Sequence, residues 1–140
     1  MVSEMDTAIG KVIAALKETE MIDNCLIIFH SDNGGVKAPL IADNGTLRGK
    51  KGDTYEGGVI APMIAVWPGV IPSGTTSDSL VYVGDMLPTL LSVAQAKRTG
   101  SLPLDGVDIS KTLVDGSPSE RKYVIETSGP HWFWNGVIED

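Results

Sequence analysis

The sequence predicts an α/β sandwich. An amphipathic helix pattern opens the chain, a buried-strand pattern follows it directly, and a second strand-then-helix pair lies beyond a long glycine-rich loop. Helix followed at once by buried strand belongs to alternating architectures rather than to all-β ones.

The first helix is read over roughly residues 2–19. Val2, Met5, Ile9, Val12, Ile13 and Leu16 recur at three- and four-residue spacing and fall on one stripe, with Glu4, Lys11, Lys17 and Glu18 off it. Met21-Ile22-Asp23-Asn24 supplies a turn, and the apolar run Cys25-Leu26-Ile27-Ile28-Phe29 makes a buried strand ending at residue 30. A loop from Ser31 to about Gly58 comes next. A loop of that length without its own periodicity is uncommon in compact domains unless it is disordered or functional, and its seven glycines favour close backbone approach.

Val59 to Trp67 reads as a second buried strand, stopped by Pro68-Gly69, and Pro72-Ser73-Gly74 marks another turn before the short apolar piece Leu80-Val81-Tyr82-Val83. Asp85 is placed to cap a helix over Met86 to Ala96, with Leu87, Leu90, Leu91, Val93 and Ala94 turned inward and Pro88 in its first turn. Asp105-Gly106 and Asp115-Gly116 punctuate the next stretch of chain, with a short helix between them. From Ser117 the texture changes, with Tyr123-Val124-Ile125-Glu126-Thr127 as a strand and Trp132, Phe133 and Trp134 clustered beyond it. The division expected is therefore 1–116 for the main domain and 117–140 for the start of a second, small subdomain that reads as truncated.

One hundred and forty residues at 42% hydrophobic content suffice for one globular core. A formal charge of -7, with 11 Lys and Arg scattered except near residues 48–51, argues against a nucleic-acid or anionic-membrane surface. No apolar run is long enough to span a membrane, and the opening residues lack the pattern of a signal peptide. Cys25, the single cysteine, excludes an intrachain disulfide.

Chemistry concentrates in the glycine-rich loop. Asp32 and Asn33 present a carboxylate and an amide oxygen where a buried strand ends, the edge at which open α/β sheets bind ligands, and Gly34-Gly35 lets the chain turn sharply behind them. The same four residues are also an ordinary turn signal. Two oxygen donors do not complete a Ca²⁺ site, which takes about six to eight. Lys51, with Arg48 and Lys50, makes a positive cluster in an acidic chain; lysine suits a sulfate or phosphate oxygen, and a solvated surface run is the plainer alternative. Glu56 either orients one of these cations or pairs with it. His30 and His131 are candidate acids or bases, although a lone strand histidine is more often a packed residue. Asn44-Gly45-Thr46 is formally a glycosylation acceptor and reads more readily as a tight turn. Walker, dinucleotide and Gly-x-Ser-x-Gly motifs are absent.

The runs Ile27-Ile28-Phe29-His30-Ser31-Asp32-Asn33-Gly34-Gly35, Leu47-Arg48-Gly49-Lys50-Lys51-Gly52-Asp53-Thr54-Tyr55-Glu56-Gly57-Gly58, Pro62-Met63-Ile64 with Trp67-Pro68-Gly69, and Asp85-Met86-Leu87-Pro88-Thr89-Leu90 together resemble the carboxy-terminal half of the sulfatase catalytic domain. The opening residues, with Leu104-Asp105-Gly106-Val107-Asp108 and Asp115-Gly116-Ser117-Pro118-Ser119, look most like its animal arylsulfatase B group, so the resemblance covers nearly the whole chain.

That resemblance implies part of an alkaline-phosphatase-like sandwich, a mixed sheet flanked by helices. It implies Asp32 and Asn33 as Ca²⁺ ligands and Lys51, rather than Lys50, as a sulfate contact. The family nucleophile is a formylglycine made from the cysteine of Cys-x-Pro-x-Arg. Cys25 is followed by Leu26 and Ile27 and does not match, and the family's paired amino-terminal aspartates and leaving-group histidines have no counterpart here. The expectation is a sulfate ester hydrolase fragment, inactive alone, whose parent acts on a sulfated small molecule or glycan and is lysosomal or secreted. The alternatives are a non-catalytic cation- or anion-binding module and a phosphatase or phosphodiesterase of the same superfamily, which commonly uses Zn²⁺.

Overall fold

A computed structural model of the chain describes residues 2–36, 42–127 and 135–139. Helix α1 spans Val2–Glu18, and a 3-10 turn over Ile22–Asn24 leads into strand β1, Ile27–His30. The long loop closes on a one-turn helix α2, Glu56–Val59, followed by strand β2, Met63–Val66. A 3-10 turn over Val83–Asp85 runs straight into α3, Met86–Val93; then come α4, Ser110–Asp115, and strands β3, Tyr123–Thr127, and β4, Asn135–Glu139.

β1 and β2 pair antiparallel with Ile27 opposite Val66 and His30 opposite Met63. β3 and β4 form a second antiparallel pair with Tyr123 opposite Glu139. The α/β class is as read from the sequence, with both strand pairs of the described residues antiparallel. The first pair sets the site, because it brings the start of the glycine-rich loop at His30 beside its end at Met63. Ser31 N–H donates to Pro62 O at 3.2 Å and continues the pairing by one step into the loop.

Several boundaries differ from the sequence reading. The expected strand over residues 59–67 begins only at Met63, because Glu56–Val59 is helical and Pro62 has no N–H to donate to a ladder. α3 stops at Val93 rather than Ala96. Gln95 takes a left-handed φ of 51°, and Ala96 N–H reaches back to Leu91 O at 2.9 Å, the closure of a Schellman-type end. The short helix expected between the two Asp-Gly pairs is α4, and Gly116, at φ 74°, ends it in the left-handed conformation that glycine adopts without strain. The aromatic cluster 132–134 and His131 lie outside the described residues.

The packed centre lies around α3 and α4 rather than under α1. Asp85 and Thr89 are fully buried with Ile109, whereas Leu87 and Leu90, read as inward, are exposed. Thr89 explains the exchange: its Oγ1 donates to Asp85 O at 2.6 Å and accepts Ile109 N–H at 3.0 Å. That side of α3 is buried through hydrogen bonds instead of Leu packing.

Asp85 does not cap α3 through its side chain, as its position had implied. Its carboxylate accepts Tyr82 N–H at 2.9 Å, Val107 N–H at 2.8 Å and the Arg121 guanidinium, with Nε to Oδ2 at 2.8 Å. Burial pushes the Asp85 carboxyl up, and the Arg121 hydrogen bond with the Val107 and Tyr82 amides outweighs it, so the group titrates below the usual carboxylate range. One side chain thus joins three segments that are distant in sequence. Arg121 Nη2 extends the junction to Asp105 O at 3.1 Å.

α1 keeps its apolar stripe without burying any residue fully. Met5, Ile9 and Ile13 line an apolar groove of about 330 Å³ together with Ile27, Phe29 and Ile64 of the β1–β2 pair.

Candidate functional site

The loop between β1 and β2 folds into two limbs held by backbone contacts. Gly34 N–H donates to Gly58 O at 2.9 Å, and Gly57 N–H donates to Arg48 O at 2.7 Å. These approaches require glycine. A Cβ on Gly34 would stand 2.1 Å from Gly57 O, and one on Gly58 would stand 2.2 Å from Asp53 O. The Gly57-Gly58 pair, both residues buried, is therefore the wedge on which the limbs close.

Asp32 and Asn33 form the first limb, one step beyond β1. Ser31 Oγ donates to Asn33 O at 2.9 Å and fixes the turn locally. Lys51 sits on the second limb, where its backbone N–H donates to Gly35 O at 3.0 Å. Together Asp32, Asn33, Gly35, Asp43 and Lys51 line one open cleft of about 450 Å³. The structure brings together the three residues singled out from sequence.

The neighbours are sorted as well. Lys50 does not line the cleft; its backbone N–H donates to Asp53 Oδ2 at 3.1 Å. Arg48 stacks over the Tyr55 ring at 3.7 Å and donates from Nη2 to the Tyr55 hydroxyl at 2.7 Å, so its charge is engaged away from the cleft. Glu56 begins α2 and is exposed outside the lining. His30 is exposed with Nδ1 2.9 Å from Ser31 O, and Cys25 is half-buried just after the 3-10 turn; neither lines the cleft. Of the run that read as one positive cluster, Lys51 lines the cleft and Arg48 and Lys50 do not.

Asp32, Asn33 and the nearby Asp43 offer oxygen, the donor type that Ca²⁺ prefers. They fit that ion in kind and fall short in number. Among the described residues there is no group of three or more His, Cys, Asp or Glu able to hold a metal. The lining thus sets carboxylate and amide residues on one limb and a lysine on the other, with closely packed backbone behind both.

Sequence reading missed Asn44. It sits in the tight turn expected there, with Leu47 N–H donating to Asn44 O at 3.1 Å and Gly45 at φ 59°. Its side chain, however, reaches across both limbs. Oδ1 accepts Gly35 N–H at 3.0 Å, and Nδ2 donates to Gly35 O, Gly49 O and Gly57 O at 3.1, 3.0 and 2.9 Å. The available signal was an amide side chain placed between glycines on both sides of a loop.

Residues 1–96 match the family model described as Sulfatase. The chain is 37% identical over 130 residues to arylsulfatase J of Mus musculus, covering 93% of this chain and 22% of that protein. It is 36% identical over 123 residues to N-acetylgalactosamine-6-sulfatase of Sus scrofa, covering 86% of this chain and 24% of that protein. It is also similar to the crystal structure of Ps i-CgsB in complex with k-i-k-neocarrahexaose, with a TM-score of 0.81 and 35% identity over 90% of this chain and 28% of that one. The chain thus spans about a quarter of the length of the curated relatives it matches. Among the described residues no helix is long and apolar enough to cross a membrane.

Proposed function

The chain belongs to the sulfatase family, and from that premise we propose that it supplies one wall of a sulfate ester hydrolase site. In this reading Asp32 and Asn33 hold Ca²⁺ and Lys51 holds a sulfate oxygen. The observation that carries it is the shared cleft: the Asp32–Asn33 limb and the Lys51 limb face one space, and Lys50 and Arg48 do not.

Each residue has a distinct task. The Asp32 carboxylate and the Asn33 amide oxygen are hard donors for the cation, which when bound supplies positive charge opposite the sulfate oxygens. Lys51 offers a charge-assisted hydrogen bond to the same anion from the other limb. The backbone behind them is held by the Gly34, Gly57 and Gly58 contacts, so the two limbs that carry these residues are fixed relative to one another. The nucleophile belongs to other parts of the parent protein, because Cys25 lies outside the cleft and outside any Cys-x-Pro-x-Arg run. The chain alone is accordingly inactive toward sulfate esters.

The comparisons support a substrate class for the parent. The similar structure was solved with k-i-k-neocarrahexaose, and the similar pig enzyme is named for a sulfated amino sugar, which supports a sulfated glycan or small molecule for the parent. A lysosomal or secreted location for the parent rests on the same family resemblance.

Calorimetric titration of the chain with sodium sulfate tests the reading. Sulfate binding that strengthens when Ca²⁺ is added is expected. Binding that strengthens with Zn²⁺ and ignores Ca²⁺ would assign the cleft to a phosphatase-type site instead.

A further inference from the structure

We propose that Asn44 is the positioning residue of this cleft: its carboxamide sets the spacing between the Asp32–Asn33 limb and the Lys51 limb. The inference rests on the reading of the cleft as a cation and sulfate site, and adds a residue of the cleft lining whose side chain bonds to the loop backbone.

Asn44 is half-buried and bonds to three separate points of the loop. Its one oxygen accepts Gly35 N–H, and the two hydrogens of Nδ2 are shared among the carbonyls of Gly35, Gly49 and Gly57. Gly35 follows the Asp32–Asn33 limb, Gly49 precedes Lys51, and Gly57 is the wedge against which Gly34 packs. A Cβ on Gly35 would stand 2.6 Å from Asn44 Oδ1, so this glycine is what admits the amide. Gly35 O also accepts Lys51 N–H, which puts Asn44 one bond away from the lysine.

An amide side chain supplies both the acceptor and the donors used here. Asp offers the oxygen and no donor, and its charge would face three carbonyl oxygens; Ala offers neither. In the folded chain Nδ2, the atom a glycan would take, donates to loop carbonyls, and the Asn44-Gly45-Thr46 tripeptide forms a turn.

The experiment is amide hydrogen exchange read residue by residue on the 140-residue chain, for the unaltered protein, Asn44→Ala and Asn44→Asp, followed by titration of each with calcium chloride and sodium sulfate. In Asn44→Ala the Gly35 and Lys51 amides should exchange at least about tenfold faster, while the Val107 amide, held by Asp85, keeps its rate and shows that the rest is folded. Asn44→Asp should keep Gly35 protected through its remaining oxygen and still release Lys51. Both variants should lose the joint response of the two limbs to Ca²⁺ and sulfate.

Unchanged exchange at Gly35 and Lys51 in Asn44→Ala would overturn the proposal, as would an Asn44→Asp chain that responds to both ions like the unaltered one. If the unaltered chain answers neither ion, the reading of the cleft fails, and the exchange rates still decide whether Asn44 couples the limbs.

Discussion

The backbone N–H of Lys51 donates to Gly35 O at 3.0 Å, which ties the lysine to the limb that carries Asp32 and Asn33. Residues far apart along the loop are thereby fixed by the main chain, and this tie makes no use of the Lys51 side chain. Lysine can then change without the loop losing this tie.

Replacing Lys51 by Ala should weaken sulfate binding by roughly tenfold to a hundredfold, the range expected for losing a charge-assisted hydrogen bond. The melting temperature should stay where it is. Lys50→Ala should bind sulfate like the unaltered chain, because Lys50 does not line the cleft. Calorimetric titration of the two variants side by side checks both outcomes.

Gly34→Ala and Gly10→Ala should move stability in opposite directions. The new methyl at position 34 meets Gly57 O at 2.1 Å and forces the limbs apart, costing about 1–3 kcal/mol. At position 10, inside α1, the new methyl has nothing within 4 Å, and the helix gains about 0.5–1 kcal/mol. Urea unfolding midpoints report the difference.

Asp85→Asn should destabilise the region built on α3 by about 3–5 kcal/mol, because it leaves the Arg121 charge without its partner. The pH dependence follows from the lowered titration of Asp85. A carboxyl that ionises more readily folded than unfolded contributes stability that is complete above the unfolded value, near 3.8, and is lost as pH falls through the lower, folded one. Acid unfolding followed by circular dichroism should therefore show a loss below about pH 4 that is reduced in Asp85→Asn.

Cys25 should remain a thiol. It is the chain's single cysteine and has no Cys-x-Pro-x-Arg context. Purified protein should react with a thiol reagent after unfolding and form no hydrazone with an aldehyde reagent. A hydrazone at Cys25 would place the family nucleophile in this chain.

The elements that sequence revealed well are those whose signal is local. The stripe from Val2 to Leu16 is α1, the apolar run before His30 is β1, half-buried to exposed where the sequence read it as buried, and Asp115-Gly116 ends α4 where a left-handed glycine is needed. What it did not reveal depends on partners far along the chain. Asp85 looked like a helix cap because a cap is judged from neighbours, whereas its carboxylate is spent on Tyr82, Val107 and Arg121. Leu87 and Leu90 looked like core because leucine burial is the common outcome, and Thr89 took that place through two hydrogen bonds. Asp32, Asn33 and Lys51 were nominated from sequence through the motif resemblance, their residue types alone being equally those of a turn and a solvated run, and the structure places all three on one cleft. Asn44 was not, because its role consists of reaching three glycines brought together by the loop's closure.

A crystal structure of the chain grown with calcium chloride and ammonium sulfate would decide whether the two limbs share one ion site. Ca²⁺ should be bonded to the Asp32 carboxylate and the Asn33 amide oxygen, with a sulfate oxygen within hydrogen-bond distance of Lys51 Nζ in the same cleft. Both ions bound elsewhere, with that cleft holding only water, would refute the shared site.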